Sequence, residues 1–401
     1  MSEPTGPLKG LRVIEMGQLL AGPFVGSRLA DFGAEVIKIE TPGKGDPMRL
    51  WGHHRFEGET LWWPTLARNK KSLTVNLREA RGQEIVRRLL ADADGLVENF
   101  RPGTLERWGL GPERLQADNP GLIVVRVSGY GQTGPYADRP GFASVGEAEG
   151  GIRFINGFPD QPPPRFGISL GDTLTAMFAV EGFLMALHHR DARGGRGQVV
   201  DAAIVESVFS MLESALPEYD KCGVVRRPSG TGLPNVAPSN IYPTADGAYV
   251  VIAANLDPMF RRLCGAMGRP ELADDPRFAD HTARGENADT LDGLIAAWTR
   301  TLEAPALREL LEASGVVCGP INSIAEIAED AHFRARDMIR EVPDPRFGTL
   351  KVPGIAPKLS DTPGDIAWLG PAEPGAHNGE VLGGLGYSED EQESLRRDGI
   401  I

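Results

Sequence analysis

The sequence contains few of the residues from which disulfide frameworks and metal centres are built. Its 401 residues include three cysteines, Cys222, Cys264 and Cys318, which lie far apart and form no CxxC pair. The seven histidines do not recur at metal-ligand spacing, and no HExxH motif is present. We therefore expect neither a disulfide framework nor a zinc site, and this cysteine usage is typical of the reducing cytoplasm.

Long hydrophobic runs and an excess of positive charge are also missing. No stretch approaches the roughly 18 uncharged apolar residues of a membrane-spanning helix, and the N-terminal segment MSEPTGPLKG contains no apolar signal core. The most apolar segment follows Asp172, but Asp172, Glu181 and the terminal His188-His189-Arg190 indicate a core helix of a water-soluble protein. The net charge of −13 argues against broad binding to nucleic acid or anionic membranes. We predict a cytoplasmic protein without nucleic-acid or membrane partners.

Three common phosphate-binding and nucleophile motifs are absent. The segment after the first predicted strand reads GQLLAGPFVG rather than GxGxxG, and the chain has neither a Walker A motif nor a GxSxG elbow. Glu40, at the end of the second predicted strand, keeps a nicotinamide-dependent dehydrogenase open as a distant alternative. Cys318, in GVVCGP, is a candidate nucleophile, although a lone cysteine among valines is more often a core residue.

The first third of the chain alternates between strand and helix patterns. The buried-strand patterns cover residues 11–16, 35–40, 72–77, 95–100 and 121–131. The helical patterns between them cover residues 18–33, 80–93 and 103–118. Strands that alternate with helices in this order predict parallel pairing through right-handed crossovers. We therefore predict an α/β fold with a Rossmann-like, doubly wound parallel sheet.

The chain changes character after residue 190. Residues 199–216 read as a buried helix or as a strand followed by a helix, and residues 226–240 are rich in glycine and proline without periodicity. A hairpin with Asp246-Gly247 at its turn is predicted at 240–255, and helical patterns follow it. We predict a large domain at residues 1–225 and a smaller α+β domain at residues 235–330. Residues 335–401 are predicted to pack back and complete the large domain.

Basic residues gather in or near the loops that leave the carboxyl ends of the predicted strands, where open α/β sheets bind ligands. These loops are rich in glycine and proline, and phosphate-holding loops need small residues because the backbone must approach the ligand closely. Any single lysine or arginine more often only solvates a loop, but as a set they favour a di- or triphosphorylated ligand. The set comprises Lys38, Lys44, Arg49, Lys70, Lys71, Arg101, Arg107 and Arg139.

Asp172 lies where an extended segment, 166–170, passes into a long apolar run at helical spacing. A carboxylate at that point faces free backbone N–H groups and the positive end of the helix dipole. Because aspartate is a favoured capping residue, this segment by itself predicts a helix cap.

A set of short motifs occurs in a fixed order over most of the chain. It comprises LAGPFVGSRLADFGAEVIKIE (20–40), GDPMR (45–49), NKKSLTVNL (69–77), VENFRPGTLERWGL (97–110), SGYGQTGPY (128–136), GDT (171–173), GRGQVVDAA (195–203), VIAAN (251–255), CGPI (318–321) and HNGEVLGGLG (377–386). In this order the motifs resemble those of the class III CoA-transferases, the CaiB/BaiF type that includes formyl-CoA transferases. The resemblance implies an interlocked homodimer with active sites between subunits. It also implies no metal or organic cofactor, since the CoA thioester is itself a substrate.

The resemblance makes Asp172 the catalytic nucleophile, which would form an acyl anhydride and then an aspartyl-CoA thioester. It also implies a set of CoA contacts, to which we add the basic residue Lys38. The expected CoA-binding residues are Leu20, Lys38, Thr41, Val75, Asn99, Phe100, Arg101, Arg107 and Arg139. A flap over the intermediate is expected at Ser229–Gly232, where Gly230 and Gly232 let the backbone fold, and a plain interdomain linker is the alternative.

Four departures from the formyl-CoA transferase pattern argue against oxalate as the acceptor acid. They are Leu20 for glutamine, Thr41 for arginine, Phe142-Ala143 for a Tyr-Glu pair and Ser229–Gly232 for four glycines. Phe142 also stands where the related acyl-CoA racemases carry a proton-transfer histidine, and phenylalanine cannot exchange a proton.

Two alternatives stay open beside the transferase. One is an acyl-CoA racemase or dehydratase-like relative, and the other is a non-catalytic acyl-CoA-binding protein in which Asp172 only caps its helix. The acid pair is not named by the sequence. Arg165, just before the Asp172 segment, is suited to meet a dicarboxylate, so a succinyl-type donor is a hypothesis.

Overall fold

The structure is a computed structural model in which residues 6–401 are described. These residues form thirteen strands, most of them short. The strands are β1 (Arg12–Glu15), β2 (Glu35–Glu40), β3 (Arg55–Phe56), β4 (Glu59–Thr60), β5 (Lys70–Thr74), β6 (Gly95–Glu98), β7 (Ile123–Ser128), β8 (Val199–Ala203), β9 (Ser239–Pro243), β10 (Tyr249–Ala253), β11 (Val317–Pro320), β12 (Ile339–Asp344) and β13 (Gly348–Pro353).

The same residues form eighteen α-helices and two 3₁₀ turns, the latter at Pro47–Leu50 and Pro270–Asp274. The helices are α1 (Ala21–Asp31), α2 (Trp62–Leu66), α3 (Ala80–Leu90), α4 (Thr104–Arg107), α5 (Pro112–Asp118), α6 (Ala143–Glu149), α7 (Ile152–Ile155), α8 (Leu170–Arg193), α9 (Ile204–Phe209), α10 (Ala215–Cys222), α11 (Asp257–Ala266), α12 (His281–Glu286), α13 (Ala288–Thr299), α14 (Ala304–Ala313), α15 (Ile324–Glu329), α16 (Ala331–Ala335), α17 (Asn378–Gly384) and α18 (Glu389–Arg397).

A six-stranded, all-parallel sheet with the order β5-β2-β1-β6-β7-β8 organises the first part of the fold. All of its strands except β8 are mostly buried, because helices cover both faces of a parallel sheet. The predicted α/β class and the parallel sheet are confirmed. The sixth strand, β8, settles the reading of residues 199–216 as a strand followed by a helix, since α9 begins directly after it. The strand order reverses between β1 and β6, which creates a crevice beyond the carboxyl ends of these two strands.

Two hydrophobic clusters cover the two faces of this sheet. On one face, α3 packs with the C-terminal helices, so that Leu382, Leu395 and Ile401 share a cluster with strand residues Ile14 and Leu96. On the other face, α1 and α8 pack against the strands. The edge strand β5 is tied to the C-terminal segment by backbone bonds, because Asn76 donates its N–H to the Ile400 carbonyl at 2.8 Å.

Helix α8 is the longest helix among the described residues and runs for 24 residues. Its buried side includes Ala176, Ala179, Phe183 and Ala186, whose spacing of three and four residues defines one helical face. By length and composition alone it would suffice to cross a membrane, and no other helix in residues 6–401 meets that test. Core helices of water-soluble proteins meet it as well, and α8 packs on β7 and β8. The cytoplasmic location stays a prediction.

The chain forms two compact units. One comprises the chain up to Ile152 with Arg165–Leu216 and His332–Ile401, and the other comprises Arg153–Pro164 with Pro217–Ala331. Residues 217–225, which the sequence analysis placed in the large domain, therefore group with the second unit. The predicted domain boundaries stay a prediction, because compactness does not show that either unit folds on its own.

The second unit contains a three-stranded antiparallel sheet with the order β11-β10-β9. The predicted hairpin is confirmed: β9 pairs with β10, and Gly247 takes a positive φ of 79° in the turn. Arg284 is fully buried and donates to the carbonyls of Ala237, Phe278 and Asn255, which binds the loops around this sheet together.

Candidate active site

A cavity of about 250 Å³ opens beyond the carboxyl ends of β1, β6 and β7. Its walls come from the loops after these strands, at 18–21, 99–102 and 127–142, and from Asp172 at the start of α8. All of these residues belong to the first unit. The cavity therefore lies where the strand order reverses, which is the position expected for a ligand in an open α/β sheet.

Asp172 occupies the third position of α8 and forms part of the cavity wall. Its carboxylate accepts no hydrogen bond from any residue within 6–401, and no cation within that range pairs with it. The expectation that it caps the helix is therefore wrong. Burial, and then the charge of Glu147, raises the pKa of Asp172 to about 6, while Arg165 opposes this shift. A half-buried, unpaired carboxylate of raised basicity is available to react as a nucleophile.

Glu147 was not singled out by the sequence analysis. It lies on α6, is fully buried, and accepts a hydrogen bond from the backbone N–H of Gly171 through Oε1 at 2.9 Å. Gly171 is also tightly packed here, because a Cβ on it would lie 3.1 Å from the Glu147 Cγ. The only signal in the sequence is an acidic residue among the small residues of ASVGEAE, which is too common to identify a site.

The loop after β1 is held by side chains from two neighbouring loops. Asn99 accepts a hydrogen bond from the Gln18 N–H at 2.8 Å and donates one to the Gln18 carbonyl at 2.9 Å. Leu19, which has a positive φ of 63°, donates its N–H to Asp46 Oδ1 at 3.1 Å. Leu20, Asn99 and Leu19 all line the cavity. Asn99 thus uses its amide to shape the wall of the cavity.

A buried ion network lies beneath this loop. The Lys38 amine is 2.8 Å from Glu15 Oε1, from Asp46 Oδ2 and from the Gly17 carbonyl, and its side chain is 1% exposed. Burial alone would lower the pKa of Lys38, but Glu15 and Asp46 together raise it. The structure therefore contradicts the expected contact of Lys38 with CoA. The Lys38 ammonium group is already paired with Glu15 and Asp46, and it supports the loop instead.

Lys70 and Glu40 are also used within the fold. The Lys70 amine is buried 2.6 Å from Glu15 Oε2, so this lysine does not face the cavity either. Glu40 is paired with Arg49 at 2.7 Å and accepts the Asp46 N–H at 2.8 Å. A carboxylate so occupied cannot hold a ribose, which removes the sequence feature that favoured a nicotinamide-dependent dehydrogenase.

Two of the expected cationic contacts do lie on the cavity. Arg101 and Arg139 are exposed and line it, and no carboxylate within residues 6–401 pairs with either guanidinium. The Arg139 guanidinium stacks 3.6 Å from the ring centroid of Tyr136. Phe100 also lines the cavity and packs edge-on against Trp108.

The loop that carries Phe100 and Arg101 is braced by charges. Arg126 Nε lies 2.7 Å from Glu98 Oε1, and its Nη1 lies 2.7 Å from Glu106 Oε1. Glu98 Oε2 in turn accepts the Phe100 N–H at 2.7 Å. Burial raises the pKa of Glu98 to about 7, although the hydrogen bond from Arg126 opposes this. The brace fixes the direction in which the 99–102 loop enters the cavity.

The remaining expected contacts lie outside the cavity wall. Arg107 is exposed on α4 and donates to Thr104 Oγ1 at 2.9 Å, and Thr41 is exposed after β2. Val75 is 2% exposed within the hydrophobic core, so a side-chain contact of Val75 with CoA is not supported by its position.

The expected flap belongs to the second unit. Gly230 has a positive φ of 72° and donates its N–H to the Gly157 carbonyl at 2.9 Å. Ser229 donates its hydroxyl to the Gly232 carbonyl at 2.7 Å. These bonds form a local turn, and its function as a flap stays a prediction.

The cysteines and potential metal ligands add no second site. Burial raises the pKa of the Cys318 thiol, which is the opposite of the shift that activates a nucleophilic cysteine. Between residues 6 and 401 no group of three or more His, Cys, Asp or Glu side chains is arranged to hold a metal ion.

Comparison with known proteins places this geometry in one family. The family model for CoA-transferase family III matches residues 8–378. The chain is 57% identical over 399 residues to the succinyl-CoA–D-citramalate CoA-transferase of Chloroflexus aurantiacus, with 99% of each chain covered. It is 35% identical to the succinate–glutarate CoA-transferase of Agrobacterium fabrum, with 94% of this chain and 96% of that protein covered.

A solved structure agrees with these sequence relationships. The crystal structure of a CaiB/BaiF family protein from Brucella suis superposes with a TM-score of 0.83 at 35% identity, covering 95% of this chain and 100% of the other. The matches extend over the sheet, the cavity and the C-terminal helices. The chain therefore belongs to CoA-transferase family III and is a CoA-transferase.

Proposed function

We propose that this CoA-transferase moves CoA from succinyl-CoA to a hydroxylated dicarboxylate through covalent intermediates on Asp172. One observation carries the mechanism: the Asp172 carboxylate lines the cavity without an intramolecular partner, at the N-terminus of α8. The substrate class is supported by the relatives named above, of which the most similar acts on succinyl-CoA and D-citramalate by its name.

In the first half of the reaction, an Asp172 oxygen attacks the carbonyl carbon of the donor thioester. The C–S bond breaks, its electron pair leaves with the sulfur as CoA thiolate, and Asp172 becomes part of a mixed anhydride. The thiolate then attacks the Asp172 carbonyl carbon and expels the donor acid as a carboxylate. Asp172 is left as an aspartyl-CoA thioester.

The second half repeats these steps in reverse with the acceptor. The acceptor carboxylate attacks the aspartyl-CoA thioester and releases the thiolate, and the thiolate attacks the acceptor acyl carbon of the new anhydride. The product thioester leaves, and Asp172 is restored as a carboxylate. No net proton transfer is required, because one carboxylate enters for each one that leaves.

The local structure favours these steps in two ways. The positive end of the α8 dipole stabilises negative charge that develops near Asp172. A carboxylate of raised pKa is also a better nucleophile once ionised, so activity should need a pH above about 6.

CoA binding follows from the cavity walls. The exposed guanidinium groups of Arg101 and Arg139, with Arg107 nearby in the chain, are proposed to meet the phosphates. Leu20 and Phe100 supply apolar surface for the pantetheine arm, and Asn99 shapes the loop between them. A contact of Thr41 with CoA and closure of Ser229–Gly232 over the intermediate belong to this proposal as well.

Arg165 is the proposed receptor for the second carboxylate of the substrates. It is exposed, its charge acts on Asp172, and no acidic side chain within residues 6–401 pairs with it. A guanidinium offers a planar pair of donors that matches a carboxylate.

We further propose that the protein is a homodimer with interlocked chains. Helix α8 supports this, because Met177, Leu184 and Met185 expose apolar surface on the side that does not pack on the sheet. Light scattering during size-exclusion chromatography tests the stoichiometry, and a monomer at micromolar concentration would contradict it.

Mass spectrometry of the CoA products tests the transfer. Purified enzyme is given succinyl-, acetyl- or formyl-CoA with citramalate, malate, glutarate or acetate, and the new thioesters are identified. We expect succinyl-CoA with a hydroxylated dicarboxylate to react fastest. Asp172→Ala should abolish transfer while acyl-CoA still binds, and Asp118→Asn, an exposed carboxylate on α5, should react normally.

The same assay separates the open alternatives. Deuterium uptake at the α-carbon without an acceptor acid would indicate a racemase. Tight acyl-CoA binding with no exchange under any pairing would indicate a non-catalytic binding protein.

A further inference from the structure

The buried carboxylate of Glu147 has only one hydrogen bond within residues 6–401. Its side chain is fully buried on α6, and Oε1 accepts one hydrogen bond, from the Gly171 N–H at 2.9 Å. Oε2 is buried as well and has no hydrogen-bonding partner within residues 6–401. Burying a carboxylate with a single hydrogen bond is costly, so a buried group of this kind calls for a reason.

Anchoring the helix does not require a negative charge. Gly171 is the second residue of α8, and its N–H is one of the first four that have no partner within the helix. A glutamine side chain has the same length and the same carbonyl acceptor, and it would satisfy this N–H at a lower desolvation cost. The charge of Glu147 is therefore not explained by the helix start alone.

The charge acts on the adjacent residue, Asp172. After burial, Glu147 is the largest cause of the raised pKa of Asp172. Two neighbouring carboxylates repel each other when both are ionised, and this repulsion ends when one of them becomes neutral. Acylation of Asp172 does this, because the bond to the acyl carbon forms, the C–S bond breaks, and the negative charge leaves with the CoA sulfur.

We propose that Glu147 is a positioning residue that holds the start of α8 and whose buried negative charge favours the acylated form of Asp172 over the free carboxylate. The inference rests on the proposed role of Asp172 as nucleophile. Glu147 itself forms and breaks no covalent bond and exchanges no proton in the reaction. Its effect is to make the resting carboxylate less stable, and more nucleophilic in the first half-reaction, in which Asp172 attacks the donor thioester.

The other charged groups around Asp172 do not duplicate this effect. Arg165 precedes α8 and opposes it. On the elements packed against α8, Glu206 is exposed on α9, and the β8 residue Asp201 accepts the Gln132 N–H. Arg126 on β7 is paired with Glu98 and Glu106, and Arg28 on α1 lies 3.6 Å from Asp31. Glu147 is the only carboxylate in this set that raises the pKa of Asp172.

The test is the pH dependence of the first turnover in Glu147→Gln. Release of CoA thiolate from succinyl-CoA without acceptor is followed by rapid mixing with a thiol reagent from pH 4.5 to 9. Wild type should show an acid limb near pH 6, the pKa of Asp172. In Glu147→Gln this limb should move down by about one pH unit, and the plateau rate should fall roughly threefold by the Brønsted relation.

Glu149→Gln is the matched control, because Glu149 lies two residues further along α6 and is exposed. It removes the same charge from the same helix and should leave the acid limb in place. Glu147→Asp, which keeps the charge, should retain an acid limb near that of wild type. These variants separate charge from side-chain packing.

The outcomes distinguish this inference from the proposed function. An unchanged acid limb and plateau in Glu147→Gln, with Asp172→Ala inactive, overturns the role of Glu147 and leaves the nucleophile intact. Full activity in Asp172→Ala overturns both. If Glu147→Gln does not fold, difference infrared titration of wild type against Asp172→Asn decides. Two coupled carboxyl bands would support the inference, and a single uncoupled band would overturn it.

Discussion

The side-chain amide of Asn99 exchanges two hydrogen bonds with the backbone of Gln18, at 2.8 Å and 2.9 Å. These bonds join the loop after β6 to the loop after β1, on either side of the point where the strand order reverses. Gly17 and Gly22 allow this close approach, because a Cβ on either would lie only 3.0–3.1 Å from the Asn99 side chain. The cavity is therefore shaped by one amide that the ligand need not touch.

Asn99→Asp tests this role. The carboxylate can still accept a hydrogen bond from the Gln18 N–H, but it cannot donate one to the Gln18 carbonyl. One of its oxygens would instead face the Gln18 carbonyl oxygen, and these two acceptors repel each other. We expect the KM for acyl-CoA to rise about tenfold, which corresponds to the loss of about one hydrogen bond. Steady-state kinetics check this, and an unchanged KM would show that the 18–21 loop keeps its shape without Asn99.

Lys38→Met should destabilise the protein more than it affects ligand binding directly. Removal of the amine leaves Glu15 and Asp46 buried without their cation, which typically costs about 3–5 kcal/mol. The exposed Lys44 serves as the control, and Lys44→Met should leave the free energy of unfolding unchanged. Chemical denaturation measures both, and equal stability of the two variants would contradict a supporting role for Lys38.

Arg101→Met and Arg139→Met test the cationic wall of the cavity. Each should raise the KM for acyl-CoA roughly tenfold with little change in kcat, because a charge-assisted contact to phosphate is lost in both substrate and transition state. The effect should shrink at high salt, since both side chains are exposed. Arg114→Met, an exposed arginine on α5, is the control and should behave as wild type. A fall in kcat at constant KM would place these arginines in the chemical step instead.

Asp172→Asn should stabilise the protein in a pH-dependent way. Because the pKa of Asp172 is raised from 3.8 to about 6 in the folded state, the folded protein binds this proton more tightly than the unfolded chain does. The wild type therefore loses stability as the pH rises through this range. We expect Asp172→Asn to be more stable by about 2 kcal/mol at pH 8 and to lose this advantage by about pH 4.

Urea denaturation at several pH values measures this difference. Asp118→Asn, which removes an exposed carboxylate, should show no comparable trend. A stability gain that grows towards low pH would contradict the direction of the Asp172 shift.

Arg165→Met tests the choice of substrate. We expect the preference for a dicarboxylate over a monocarboxylate acceptor to fall at least tenfold, because a bidentate ion pair is lost only for the dicarboxylate. Arg165→Lys should restore only part of it, since an ammonium lacks the planar pair of donors. Competition between succinate and butyrate in a single reaction measures the ratio, and equal losses for both acids would remove Arg165 from recognition.

The sequence predicted the sheet because its strands and helices have strong local patterns. Buried strands such as 35–40 and the amphipathic helix α3 can be read from apolar spacing alone. The strand β8 was ambiguous because VVDAA runs directly into another apolar segment, so only pairing with β7 separates them. Register and partner are properties of the fold rather than of the local sequence.

Part of the site could be predicted because local sequence patterns locate the ends of strands and helices. Asp172, Arg101 and Arg139 lie at element ends that the pattern located, and the structure places them on one cavity. Lys38 was misread because a lysine inside an apolar strand gives no sign of whether a buried carboxylate will meet it. Glu147 was missed because its importance depends on Gly171, which is 24 residues away and packs on it only in the folded chain.

Trapping of the acylated enzyme tests the role of Asp172 most directly. The enzyme is mixed with succinyl-CoA, quenched with borohydride or hydroxylamine during turnover, digested and analysed by peptide mass spectrometry. We expect the peptide that contains Asp172 to carry the reduced or hydroxamate form of that one side chain, and no other carboxylate to be modified. An unmodified Asp172 in an enzyme that is still transferring CoA would contradict the mechanism.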